Sequence, residues 1–213
     1  MSDLLVYSAI FAGRDLVEVP KLDGADFRLI TDDVRYAKTG GISVIPMPIE
    51  ADPRRSARLL KIMPQLFFPD YRRWIWMDGN VRLREWTNGK RLKEIPGPLT
   101  TFKHRDRNCP YEEAEICSTF SLDKPSVIQS QMEGYRNEGF PPDGGLAETM
   151  VVVRDNTPEI QSFNRRWWAE VCEKSVRDQL SFNYCVWKEG IPVHYMGRCS
   201  GTPWFRIGPH AND

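Results

Sequence analysis

The stretch Arg73-Trp74-Ile75-Trp76-Met77-Asp78-Gly79-Asn80 decides the fold class. Residues 73–77 form a short apolar run with two tryptophans, the pattern of a strand buried on both faces. The run stops at Asp-Gly-Asn, a composition suited to a tight exit turn. A carboxylate thereby stands at the end of a strand, with Asn80 two positions on, before Val81 and Leu83 resume an extended pattern.

The neighbouring segments extend this reading in both directions. Upstream, residues 54–67 have helical spacing through Ala57, Leu60, Ile62 and Met63. Asp52-Pro53 marks the helix start, and Pro64 should kink or end it. Residues 4–11 read as a continuous apolar strand, 27–30 as a second that runs into Thr31-Asp32-Asp33, and 43–46 as a third. Downstream, residues 149–153 are β-branched. Residues 158–175 read as a helix through Ile160, Phe163, Trp167, Trp168 and Val171, and 177–187 as another. Strands alternating with helices predict an α/β fold. Without repeats or a linker, one domain over residues 1–213 is expected.

Composition narrows the function classes. Lys plus Arg equals Asp plus Glu at 29 each, so there is no global positive field to hold nucleic acid nonspecifically. Cys109, Cys117, Cys172, Cys185 and Cys199 have no C-x-x-C spacing, which argues against a disulfide framework or zinc knuckle. No run reaches the roughly 20 apolar residues of a membrane helix, and residues 1–11 lack a basic leader. The expected location is cytoplasmic.

Hard oxygen ligands at i and i+2 beyond a strand end suit Mg²⁺ or Mn²⁺ against a diphosphate, with nearby Arg or Lys sharing the charge. Asp78 and Asn80 have that spacing, and Arg58 and Lys61 lie on the preceding helix. Each residue also has a plain structural reading. Asp78-Gly79-Asn80 can be a simple turn, Arg58 and Lys61 a solvated helix face, and Trp74 and Trp76 core. Asp178 can cap the helix that follows it, Glu112 and Glu113 can form a first helical turn, and His104 can be a loop histidine.

Several further motifs accompany this segment. They are Tyr7-Ser8-Ala9-Ile10-Phe11-Ala12-Gly13 with Asp15, Thr31-Asp32, Phe68-Pro69-x-Tyr71, and Phe102-Lys103-His104-x-x-Arg107-x-Cys109-x-Tyr111-Glu112-Glu113-Ala114. Later come Gln131, Tyr135, Glu138-Gly139, Gly145-Leu146-x-Glu148, Trp167-Trp168-x-Glu170 and Ser175-x-Arg177-Asp178-Gln179-Leu180-Ser181-Phe182. Together they resemble the glycosyltransferase-like domain of the plant turgor-regulation and mucilage proteins, over about residues 7–187. The sequence is more distantly similar to the glycogenin and galactosyltransferase-like group.

The resemblance implies a single nucleotide-sugar-binding, GT-A-like α/β/α sandwich with a central mixed sheet. It also implies transfer from a nucleotide sugar, expected to be a UDP-sugar, to an unknown acceptor hydroxyl. It assigns the nucleotide to Ser8, Ala9, Phe11, Asp32, Arg58, Lys61, Asp78, Gly79, Asn80, His104 and Gly197, and the reaction to Asp178, Gln179 and Glu148. In the distant group a carboxy-terminal His, followed by Gly and Pro-Trp, completes the metal site. His194, Gly197 and Pro203-Trp204 are similar, with a longer spacer. A divalent Mn²⁺ or Mg²⁺ held by Asp78, Asn80 and His194 is the corresponding expectation, although Asn80 stands where that group has a second Asp.

A dinucleotide-binding oxidoreductase is disfavoured, because Ala12-Gly13-Arg14-Asp15 lacks the G-x-G-x-x-G spacing. The same residues also admit a noncatalytic carbohydrate- or nucleotide-binding module, and a paired-carboxylate hydrolase using Glu112, Glu113, Glu148 and Asp178.

Overall fold

The computed structural model describes residues 3–13, 15, 19–44 and 52–208. A seven-stranded sheet runs in the order β3-β2-β1-β4-β7-β6-β8. Its strands are β1 (Leu4–Ile10), β2 (Asp26–Thr31), β3 (Ile42–Val44), β4 (Arg73–Met77), β6 (Leu99–Lys103), β7 (Ala147–Asp155) and β8 (His194–Met196). Only β7 opposes the others, so the sheet is mixed. β5 (Val81–Leu83) and β9 (Phe205–Ile207) form a separate antiparallel ribbon.

Alternation along the strands splits the core into two layers. Tyr7, Ala9, Phe11, Trp74 and Trp76 face the first. That layer is covered by α1 (Pro53–Ile62), α2 (Pro64–Phe67), α4 (Pro110–Thr119), α5 (Pro125–Asn137), α6 (Pro158–Glu173) and α7 (Asp178–Glu189). Val6, Ile10, Ile75 and Met77 face the second, which is closed by Val81 and Phe205 of the ribbon and Leu92 of α3 (Gly89–Lys93). The α/β sandwich is as expected, with one short helix and a ribbon forming its thinner side.

Local sequence accounts for the element that carries two site cations. Asp52 accepts from the Arg54 amide at 2.9 Å, and Pro53 occupies the first helical turn of α1. Both features satisfy a helix start. Pro64 ends α1 and opens α2, as expected. β1, β2 and β4 match the expected strands to within a residue at most boundaries. The expected third strand is seen as Ile42–Val44, and its anticipated end at Pro46 lies outside the described residues. No helix among the described residues is long and apolar enough to cross a membrane.

Candidate functional site

Parallel pairing brings the carboxyl ends of β1, β2 and β4 to one edge of the sheet. The Asp32 carboxylate, just past β2, accepts from the Ala12 amide at 3.0 and 3.1 Å and fixes the turn that follows β1. Beside this turn a cleft of about 710 Å³ runs past Ala9, Phe11, Ala12, Asp15, Arg54, Arg58, Asp78, Gly79, Asn80 and Arg177. A second pocket, about 200 Å³, is lined by Arg58, Lys61, Asp78, His104, Glu148, Thr149, Met150, Arg177, Asp178 and Gln179. The two cavities share Arg58, Asp78 and Arg177.

At this junction lies a buried ionic cluster. The Lys61 ammonium is 2.7 Å from Asp178 Oδ2, 3.5 Å from Asp78 Oδ1 and 3.1 Å from the Thr149 hydroxyl. Thr149 in turn donates to Asp178 Oδ2 at 2.9 Å. Arg58 Nε lies 2.6 Å from Asp178 Oδ1, an ion pair in distance although its N–H is not aligned for a hydrogen bond. Asp78 Oδ1 also accepts from the Trp76 indole at 2.7 Å. Burial acts to raise the Asp178 pKa, but Arg58 and Lys61 outweigh it and hold the carboxyl well below the usual carboxylate range. Asp178 is therefore a fixed negative charge and not a group that exchanges protons near neutrality. Although it is the first residue of α7, its carboxylate turns to the cations instead of capping the helix.

The remaining candidates divide clearly. His104, Glu148, Asp178 and Gln179 share the smaller pocket with Lys61. Ala9, Phe11, Gly79 and Asn80 line the larger one. His104 Nδ1 accepts from the Asp106 and Arg107 amides at 3.2 and 3.1 Å, so it also fastens its own loop. Glu113 is taken by Arg107 at 2.6 Å and Glu112 is exposed; neither lines the two cavities. The paired-carboxylate arrangement is thereby reduced to Glu148 and the ion-paired Asp178.

Three expected site residues stand elsewhere. Ser8 alternates away from Tyr7, which pairs with Trp76, and faces the second layer, where it borders a small cavity with Phe27, Leu29 and Met77. His194 opens β8 and is exposed. Through the ladders β8-β6-β7-β4 it is level with Ile75, three strands and three residues from Asp78. At roughly 4.8 Å per strand spacing, His194 and Asp78 are too far apart to share an ion. Gly197 follows β8 and is also exposed, outside both cavities.

The donor set bears directly on the metal expectation. Among the described residues no group of three His, Cys, Asp or Glu side chains could hold an ion. Asp78 Oδ1 is already engaged by Trp76 and Lys61, leaving the other carboxylate oxygen of that side chain. Six or more oxygen ligands are usual for such cations, with several from water when the ion is Mg²⁺. The described residues alone do not fit a divalent site.

Two residues absent from the sequence-derived site belong to it. Arg177 lines both cavities. Asp15 lines the larger one and sits against Gly79, where an added Cβ would come within 2.5 Å of Asp15 Oδ2. That contact explains glycine at this turn. Asp15 and Arg177 both fall within the sequence motifs that carry the family resemblance, which was the available signal.

The model of a family described as "TOD1/MUCI70, glycosyltransferase-like domain" matches residues 41–195. A relative from Arabidopsis thaliana, named "Probable hexosyltransferase MUCI70", is 26% identical over 144 residues, covering 62% of this chain. The matched stretch spans 25% of that relative's own length. Among solved structures, a glycosyltransferase involved in glycosylation of the major capsid of the virus PBCV-1 is 12% identical with a TM-score of 0.43, over 92% of this chain and 80% of that one. Mouse xyloside xylosyltransferase 1 in its apo form is 13% identical with a TM-score of 0.46, over 92% and 84%.

Proposed function

This chain belongs to the TOD1/MUCI70 glycosyltransferase-like domain family, and on that premise we propose that it transfers a sugar from a uridine diphosphate sugar to an acceptor hydroxyl. The observation that carries the reading is the meeting of a nucleoside-sized cleft and a smaller polar pocket at Arg58, Asp78 and Arg177. Open α/β sheets bind ligands beyond the carboxyl ends of their strands. The nucleoside fits the cleft along Ala9, Phe11 and Ala12, the diphosphate the charged junction, and the donor sugar the pocket walled by Thr149, Asp178 and Gln179.

Transfer requires a stabilised leaving diphosphate, an oriented sugar and a nearby acceptor, so positioning and electrostatics supply most of the effect. Arg58 and Lys61 fix the Asp178 carboxylate in a buried setting. There its charge favours positive charge developing on the sugar ring, and the same cations favour negative charge developing on the departing phosphate. Gln179 offers an amide to sugar hydroxyls. Glu148, with no ion pair among the described residues, is the carboxylate placed to take the acceptor proton. Mn²⁺ or Mg²⁺ at Asp78 would need ligands beyond those the described residues supply.

The test is a panel of nucleotide sugars scored first by thermal shift, because a ligand of the native state raises its apparent stability, and then by product analysis with sugar acceptors. A UDP-sugar should stabilise the protein and yield a glycosylated acceptor. Stabilisation without turnover would favour a binding module, and hydrolysis of a glycan with no nucleotide would replace the reading altogether.

A further inference from the structure

The charges at the junction are unequally partnered. Arg58, Lys61 and Arg177 face Asp78 and Asp178 at the junction, and Glu148 also lines the smaller pocket, so cations and carboxylates are equal in number there. Lys61 is committed to both carboxylates, and Arg58 Nε to Asp178. Arg177 has no ion pair within 4 Å among the described residues, and its Nε is buried without a hydrogen-bond partner. Its guanidinium reaches the Cys117 thiol, a weak acceptor, and it feels Asp178 only at longer range. A buried charged donor without an acceptor is costly, and the Arg177 side chain that carries it lines both cavities.

The backbone around Arg177 is tied down independently of its head group. Asp123, at the turn between α4 and α5, accepts from the Ser175 hydroxyl at 2.8 Å and from the Val176 amide at 2.9 Å. The Ser175 hydroxyl oxygen then accepts from the Arg177 amide at 3.2 Å. These bonds anchor the linker between α6 and α7, so the guanidinium is presented with little ordering left to do when an anion arrives. Arg58 adds to it, since its side chain lines both cavities while Nε stays 2.6 Å from Asp178 Oδ1. Two planar forks on one junction match the oxygens of a diphosphate. Other charges in the cleft do not supply this. Arg54 is paired with Asp52 at 3.3 Å, and Asp15 is negative.

We propose that Arg177, together with Arg58, neutralises the donor diphosphate in place of a divalent cation, so that nucleoside diphosphate binding by this protein does not depend on metal. The proposal rests on the reading above that a nucleoside diphosphate occupies the cleft. It accounts at once for the unpartnered Arg177 Nε and for the incomplete ligand set around Asp78.

Calorimetric titration with UDP, GDP, ADP and uridine, each in Mn²⁺ and in EDTA, tests it. One diphosphate should bind with the same affinity, within about threefold, in both conditions. Arg177→Gln should weaken that diphosphate roughly 10- to 100-fold, the scale of a lost charge-assisted hydrogen bond, while uridine binding is unchanged. A tenfold or greater loss of wild-type affinity on chelation overturns the proposal, as does wild-type diphosphate affinity in Arg177→Gln. If a melting curve shows that variant unfolded, Arg177→Lys takes its place. It should bind more weakly than wild type and still independently of metal, and metal-dependent binding by it would overturn the proposal. Failure of all three diphosphates in both conditions would instead overturn the donor reading itself.

Discussion

Lys61 and Arg154 are both sealed from solvent, at 1% and 0% exposure, and both meet the last turn of α1, but their surroundings differ. Arg154 is held by neutral oxygens. It donates to the Ile62 carbonyl at 3.0 Å, Asn164 Oδ1 at 2.8 Å, the Tyr7 hydroxyl at 2.8 Å and the Lys61 carbonyl. Burial lowers its pKa, but the guanidinium keeps its charge and caps carbonyls at the negative end of the α1 dipole. Lys61 instead faces two carboxylates at the edge of a cavity. One buried cation sets where the helix ends. The other uses that placement to hold Asp178, and so the cluster beside the pocket carries negative charge that the cluster in the core lacks.

The largest expected effect separates the two. Asp178→Asn should reduce transfer by roughly 10²- to 10³-fold through lost electrostatic stabilisation. It should also lower stability by roughly 3–5 kcal/mol, because Lys61 and Arg58 are left buried without their main counter-charge. Product assays and urea unfolding at neutral pH measure the two losses. Near-normal turnover per folded molecule would place Asp178 with Arg154, as a structural residue only.

Arg154→Met is the converse. It strands several buried oxygens and should cost roughly 2–4 kcal/mol of stability. Turnover per folded molecule should stay within about threefold, since Arg154 lines neither cavity. A collapse of turnover in a folded variant would mean that the end of α1 transmits its position to Lys61 more tightly than this division allows.

Acid distinguishes the clusters more gently. The folded pKa of Asp178 is depressed, so its contribution is complete above the unfolded aspartate value of about 3.9 and is lost as pH falls through the lower folded value. The stability gap between wild type and Asp178→Asn should therefore be flat from about pH 5 to 8 and narrow below about pH 4. The gap for Arg154→Met should have no carboxylate limb of this kind. A gap for Asp178→Asn that already shrinks between pH 7 and 5 would show that the ion pairs do not hold Asp178 charged.

The sequence made the first half of the sheet legible because its signals are local. β1 and β4 are unbroken apolar runs ended by polar turns, and Asp52-Pro53 announces α1. β6 was hidden by its two threonines, which lie fully buried and satisfy their hydroxyls on carbonyls, Thr101 on Val151 at 2.8 Å and Thr100 on Pro96. α4 has no clear apolar stripe, as its buried residues include Glu113. In the site, the motifs placed Asp78, Lys61 and Asp178 together, but they were silent on which side chains face one layer. Ser8 was misplaced because its face follows from the pairing of Tyr7 with Trp76, and His194 because β8 joins the sheet beyond β6. Both are long-range pairings that no local pattern encodes. Arg177 was visible as a residue, but its lack of a partner is a property of the assembled fold.

The smallest change sharpens the comparison most finely. Thr149 bridges the cluster, its hydroxyl accepting from Lys61 at 3.1 Å and donating to Asp178 at 2.9 Å. Valine is close to threonine in size but lacks the hydroxyl, so Thr149→Val removes the bridge and sets a methyl group against the ion pair. The direct contact of Lys61 with Asp178 at 2.7 Å remains, and the net loss should be about 1 kcal/mol, as for a single hydrogen bond whose partners keep other contacts. Turnover should fall only about 3- to 10-fold, because the Asp178 charge persists while its orientation loosens. The informative quantity is the double-mutant coupling of Thr149→Val with Asp178→Asn, measured on both stability and turnover, set against the coupling with Arg154→Met. Residues sharing a network couple, whereas independent sites add. Strong coupling to Asp178 with additivity toward Arg154 would mark two separate clusters on one helix. Equal coupling to both would merge them into a single buried network spanning from the core to the pocket.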